Sequence, residues 1–268
     1  MSGSWTIDPN TMVSLRLSEA ERAVQNSDLD RALIEAEELL DENPAHARGL
    51  AIAAHAALGM GDILTALAAL NRFVELHPPD ARILQSLAAA RFEAVDYSGA
   101  LAAAEQATAL DPSVGAAWHY QGLALERIGK TDEAAQRFKK ANDVDSKAFP
   151  LPVGWDDIPW TDLLDVALEG LPQPLQVFYD GVPIRWENFP AVEDLLENYP
   201  PLSPFTDALY RGKLPEGGDP WKDRPKHVTL FRGNLSRPSA DHGDIIQRLM
   251  EALVHESLHW LGITEVPN

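Results

Sequence analysis

The residues best suited to chemistry lie between Val254 and Pro267. They read Val254-His255-Glu256-Ser257-Leu258-His259-Trp260-Leu261-Gly262-Ile263-Thr264-Glu265-Val266-Pro267. Two histidines four apart on a helix project from one face about one turn apart, so both imidazoles can bind one metal ion. Glu256, between them, can reach water beside that metal, which is the H-E-x-x-H arrangement of zinc hydrolases. Hydrolysis on zinc needs three protein ligands and an open position, and a water that loses its proton near neutral pH. His255 and His259 are therefore candidate ligands, and Glu256 is the candidate general base. Gly262 can take the left-handed conformation that ends a helix, after which the chain can turn back toward the metal. Glu265 is the only acidic or His residue after that point, and it is the candidate third ligand. The competing reading is an amphipathic helix with two ordinary histidines.

A pair of histidines needs elements to hold it. Ile245, Leu249, Leu253 and Leu258 recur at near-helical spacing, which predicts a helix from about Asp241 to Leu261 with this stripe on a core. The His255 and His259 edge then faces a cleft. Upstream, His227-Val228-Thr229-Leu230-Phe231 reads as a strand, and Ala208 to Gly212 reads as a short strand and turn. Val182 to Trp186 alternates like another, although Pro183 confines it to a strand start or an edge. A helix is expected near Trp160 to Leu171, either capping what precedes it or opening a new domain. Short strands with helices at either end predict a small α+β domain. His227 and His242 read as ordinary histidines, Trp186 and Tyr210 as core, and Ser236, Ser239 and Asp241 as turn and cap residues.

The first half of the chain is organised differently. Prolines at 44, 78 and 112 fall 34 residues apart, with Ser146 at the next equivalent place, and Ala32, Ala66, Ala100 and Ala134 recur in the same frame. A small residue at a fixed place in each unit suits the crossing of two helices. Trp118, Gly122, Ala134, Phe138 and Ala141 in the last unit complete a pattern that resembles the tetratricopeptide repeat, a helix-turn-helix unit of this length. Four units follow, roughly 11–44, 45–78, 79–112 and 113–146, with turn signals at Asn26-Ser27-Asp28, Gly59 to Asp62, Asp96 to Ser98 and Gly129 to Thr131. Stacked repeats share one core and curve into a groove, which implies a bound peptide or partner protein.

Between the two regions, Phe149-Pro150-Leu151-Pro152-Val153-Gly154-Trp155 interrupts the helical pattern. The expected organisation is an α-solenoid over 1–148, a linker over 149–157 and an α+β domain over 158–268. The chain has no cysteine, so a metal must use His and carboxylate. Net charge is −19, with 22 acids and 13 bases in residues 1–150 and 19 acids and nine bases in 151–268. Both halves repel phosphate backbones, which argues against nucleic acid. No stretch is apolar enough to span a membrane and no leader pattern opens the chain, so a cytoplasmic protein is expected.

Residues from about 158 onward resemble the small bacterial family of zinc metallopeptidase-like proteins described as minimal matrix-metalloprotease-like. The likeness rests on Leu171-Pro172 ending a helix, Phe189-Pro190 after a strand, the Leu209 to Gly212 turn, Leu230-Phe231-Arg232 followed by Asn234-Leu235, and the metal motif. That family has Asp where this chain has Glu265. The resemblance implies a zincin-like fold, zinc held by His255, His259 and Glu265, Glu256 as base, and a protein or peptide as substrate. By analogy, an edge strand near the metal helix pairs with extended substrate, with His227 to Phe231 as the candidate. A non-catalytic repeat scaffold with a structural or vestigial metal site is the alternative.

Overall fold

A 34-residue period of paired helices is what the chain adopts first. The computed structural model describes residues 9–151, 154–197, 200–213, 216–237, 239 and 241–263. The chain divides into two compact units, the break falling between Leu151 and Pro152.

The first unit is four helical hairpins: α1 (Pro9–Gln25) with α2 (Leu29–Glu42), α3 (Ala47–Met60) with α4 (Ile63–Leu76), α5 (Ala81–Glu93) with α6 (Tyr97–Leu110), and α7 (Gly115–Arg127) with α8 (Thr131–Val144). Ala32, Ala66, Ala100 and Ala134 are all buried, as small residues are where two packed helices cross. The turns repeat too. Ser27, Gly61, Val95 and Gly129, each 34 residues apart, all have positive φ, between 58° and 83°. The left-handed turn needs that conformation; glycine adopts it freely, whereas β-branched Val95 is strained there. The next residue caps the following helix. Asp28, Asp62 and Asp96 accept hydrogen bonds from the backbone N–H three residues on, while Lys130 has no side-chain cap.

The second unit begins with α9 (Trp160–Gly170), which packs on the last long helix, and α10 (Gln173–Tyr179). β1 (Ile184–Glu187), α11 (Val192–Leu196), β2 (Ala208–Arg211), β3 (His227–Phe231) and α12 (Arg232–Ser236) lead to α13 (His242–Trp260). The sheet order is β1-β3-β2, with β1 parallel and β2 antiparallel to β3. β1 starts after Pro183, whose carbonyl still accepts from Val228 N at 3.0 Å, as an edge position allows. β3 is buried along Val228 to Phe231, the burial expected of a strand paired on both sides. The core joins Trp160, Leu163 and Ala167 of α9, Phe178 and Tyr179 of α10, Val228 and Leu230 of β3, and Ile245, Leu249 and Leu253 of α13. α10, α11 and α12 were not expected from the sequence; each spans seven residues or fewer, too few for a helical period to declare itself. Among the described residues, no helix is long and apolar enough to cross a membrane.

Candidate metal centre

The H-E-x-x-H residues sit near the C-terminal end of α13. Asp241 caps the start of this helix, accepting from Asp244 N at 3.0 Å. Ile245, Leu249 and Leu253, four apart, bury one stripe completely or nearly so. Leu258 is only half-buried, at the margin of that stripe. With the stripe committed to the core, His255 and His259 emerge on the solvent side of the helix, both exposed, their ring centroids 4.4 Å apart. Gly262 ends the helix with φ of 68°.

Glu256 lines the same cleft as the two histidines, and it is only 6% exposed. Its Oε2 accepts from the backbone N–H of Tyr210 in β2 at 2.8 Å. Burial pushes its carboxyl up to about 7, against the lowering effects of that hydrogen bond and of nearby His255. A carboxyl that gains and loses its proton near neutral pH is suited to general acid–base work. Below it, the Tyr179 hydroxyl donates to the carbonyl of Leu253 at 2.6 Å, and the Ser257 hydroxyl donates to that of Val254 at 2.7 Å. Burial, and then the Glu256 carboxylate, raise the Tyr179 phenol above its ordinary value, so it stays a donor. The turn that carries His255 and Glu256 is thereby tied to α10.

The two imidazoles fit a metal: they are side by side, exposed, and on the face turned from the core. Among the described residues no group of three His, Cys, Asp or Glu converges on a metal position. Glu265 lies outside the described residues. His227 and His242 do not join the pair; His227 is half-buried on β3 and His242 is exposed at the start of α13. One expectation is overturned. His227 to Phe231 is the central strand, paired on both sides, and the edge strand beside the metal helix is β2. Sheet order depends on pairing between distant segments, which strand-forming residues by themselves do not encode.

A cleft runs past the site. One part, of ≈ 820 Å³, is lined by Phe205 to Ala208 and by Ile246, Met250 and Val254; the other, of ≈ 920 Å³, by Leu209 to Lys213, Lys226 and His259. Thr206, His255 and Glu256 line both. Tyr210, read from sequence as core, is half-buried against Trp260 at 5.2 Å, and its backbone serves the site. The sequence held no signal for Tyr179 or for the Tyr210 N–H, because their partners are 74 and 46 residues away.

An α-solenoid of four helical hairpins and a separate α+β unit with paired histidines beside a buried glutamate define the class: repeats coupled to a zincin-type helix. The comparisons agree. Residues 17–81 and 86–147 match the tetratricopeptide repeat family, and residues 179–266 match the family described as zincin-like metallopeptidase. The chain thus joins a tetratricopeptide array to a zincin-like domain. Among solved structures it is similar to "Crystal structure of MamA protein", at 21% identity over 50% of this chain and 74% of that one, with a TM-score of 0.48. It is also similar to "MamA 41-end from Desulfovibrio magneticus RS-1", at 20% identity over 51% and 77%, with a TM-score of 0.47. No curated protein matches the chain.

Proposed function

We propose that this protein is a cytoplasmic zinc-dependent peptidase whose repeats recruit its substrate or a partner protein. The observation that carries the reading is the pair of exposed imidazoles, 4.4 Å apart, with buried Glu256 beside the same cleft. His255 and His259 hold the metal, and Glu265 completes the ligand set. Zinc, when bound there, supplies a Lewis acid that polarises the scissile carbonyl and acidifies water. Glu256 takes a proton from water at its carboxylate and returns it to the leaving amine, a role that its place in the cleft beside His255 and His259 supports. The Tyr210 N–H fixes Oε2, and the Tyr179 and Ser257 hydroxyls hold the helix turn, so the carboxyl keeps its direction. Residues 1–148 act as the recognition module, 149–157 as the connection and 158–268 as the catalytic module.

The test is metal content by elemental mass spectrometry, together with turnover of a protein substrate, for wild type, His255→Ala, Glu256→Gln and Glu265→Ala. The expected result is about one zinc per chain in wild type, retained in Glu256→Gln and weakened in the other two. Glu256→Gln should lose roughly 10²- to 10⁴-fold in turnover. A wild type that takes up no zinc when it is supplied would overturn the reading and leave a repeat scaffold.

A further inference from the structure

The two ends of the cleft differ in chemistry. β2 bonds β3 through the carbonyls of Asp207 and Arg211, which accept from Phe231 N at 2.9 Å and Lys226 N at 2.7 Å. Such bonds alternate along an antiparallel strand, so Ala208 and Tyr210 turn their N–H and C=O groups to the opposite edge. The Tyr210 N–H, donating to Glu256, shows that this edge faces α13. The edge therefore runs along the cleft, and with the Tyr210 N–H held by Glu256 an extended peptide can pair with it through the Tyr210 carbonyl.

His255 and Glu256 mark the middle. At one end Phe205, Ile246, Met250 and Val254 form an apolar recess. The acids there are engaged: Asp207 pairs with Arg248, and Glu251 accepts from Gln247. At the other end stand Arg211, Lys213 and Lys226, with Asp194 and Glu197. Asp194 forms an ion pair with Arg211, which, among the described lining residues, leaves two exposed lysines beside Glu197 and the buried Glu256. Three of the nine bases in 151–268 thus gather in half of one cleft, within a stretch that carries 19 acids. His227, across from Arg211 on β3, is held below its ordinary value chiefly by burial, and Arg185, Arg211 and Lys226 lower it further against the opposing pull of Glu187.

We infer that the cleft selects extended peptides with an apolar side chain on one side of the bond presented to His255 and Glu256 and an acidic run on the other. The apolar side chain enters the recess of Phe205, Ile246, Met250 and Val254, and the carboxylates meet Lys213 and Lys226. Because the acids at the recess end are engaged and the exposed lysines stand at the other end, the groove reads charge with polarity. The inference rests on the peptidase reading above.

Binding is measured on the full chain as the Glu256→Gln variant with zinc supplied, by fluorescence anisotropy. The probes are labelled peptides with a central Leu and a run of Glu or of Lys on one side, in both polarities. One Glu polarity is expected to bind about tenfold tighter than its Lys counterpart, with the difference shrinking as salt rises. Adding Lys213→Glu and Lys226→Glu, both at exposed positions, should reverse the preference, whereas Ile246→Asp should weaken every Leu peptide regardless of flanking charge. Equal binding of Glu and Lys probes, a preference that the lysine changes leave intact, or no binding of any probe would overturn the inference. Cleavage of the same peptides by zinc-loaded wild type is read separately. A Glu preference without cleavage removes the peptidase reading and keeps the groove; cleavage without preference removes the groove alone.

Discussion

The two units of this chain solve the problem of specifying a fold in opposite ways. In the repeat unit one device recurs: a buried alanine and a left-handed turn residue in all four hairpins and an aspartate helix cap in the first three, each 34 residues from the last. Its helices pack chiefly on sequence neighbours. In the zincin-like unit nothing recurs, and one helix does almost everything. α13 fills the core through Ile245, Leu249 and Leu253, presents His255 and His259, and receives Tyr179 and Tyr210 from far along the chain. Repetition spreads a function over many equivalent residues; the single helix concentrates stability and chemistry in the same few turns.

The sharpest way to break this contrast is a matched pair of cavities. Leu70 in α4 and Leu249 in α13 are both fully buried. Each change to alanine should cost about 2–5 kcal/mol. Under the proposed function, only Leu249→Ala should also weaken zinc uptake, measured by titration, because it loosens the helix that carries His255 and His259. Five of the seven tryptophans fall after residue 151, so urea unfolding followed by tryptophan fluorescence reports chiefly on the second unit. Equal loss of zinc in both variants would sink the idea that the two units carry separate tasks.

Next in size is the buried carboxyl. Glu256 is raised from 4.5 to about 7 in the folded chain, so between those values the folded state binds more protons than the unfolded one. This group's contribution to stability is therefore fully present below pH 4.5 and is lost as pH rises through 7. In chelator-treated protein, Glu256→Gln should raise stability at pH 8 by up to about 3 kcal/mol and change it little at pH 4. Thermal melts at the two pH values check the sign, and an equal effect at both would show that the carboxyl is not held protonated by burial.

Two smaller changes probe the repeat device. Val95→Gly relieves a β-branched residue at φ of 64° and should stabilise the first unit by about 1 kcal/mol. Lys130→Asp supplies the cap that the other three hairpins have, and should add about 0.5–1 kcal/mol, since the exposed Lys130–Glu133 pair that it removes is worth little. Both are read from urea unfolding by far-ultraviolet circular dichroism. No gain in either variant would mean that the four hairpins do not share one turn mechanism.

Much of this architecture could be read in the residues. The repeats were legible because four copies of one pattern reinforce each other: the alanine frame, the proline spacing and the turn signals all place the same helices. The proximity of His255 and His259 was legible because helical geometry alone puts residues four apart on one face. β3 was legible as a strand from its β-branched and aromatic run, and so was α13 from its apolar stripe. The resemblance carried by Leu171-Pro172, Leu209 to Gly212 and the metal motif pointed to the zincin-like family that residues 179–266 match.

What the sequence by itself determined is therefore local or periodic: the hairpins, the long helix, and the two histidines on one edge of it. Only the tertiary structure decided that β2 and not β3 forms the edge beside that helix, that Tyr210 offers its N–H to Glu256, and that Tyr179 holds the Leu253 carbonyl. Helical spacing is a property of the backbone and can be counted along the chain. Strand order, and the burial that lifts Glu256 to about 7, arise from segments dozens of residues apart that meet only when the core closes.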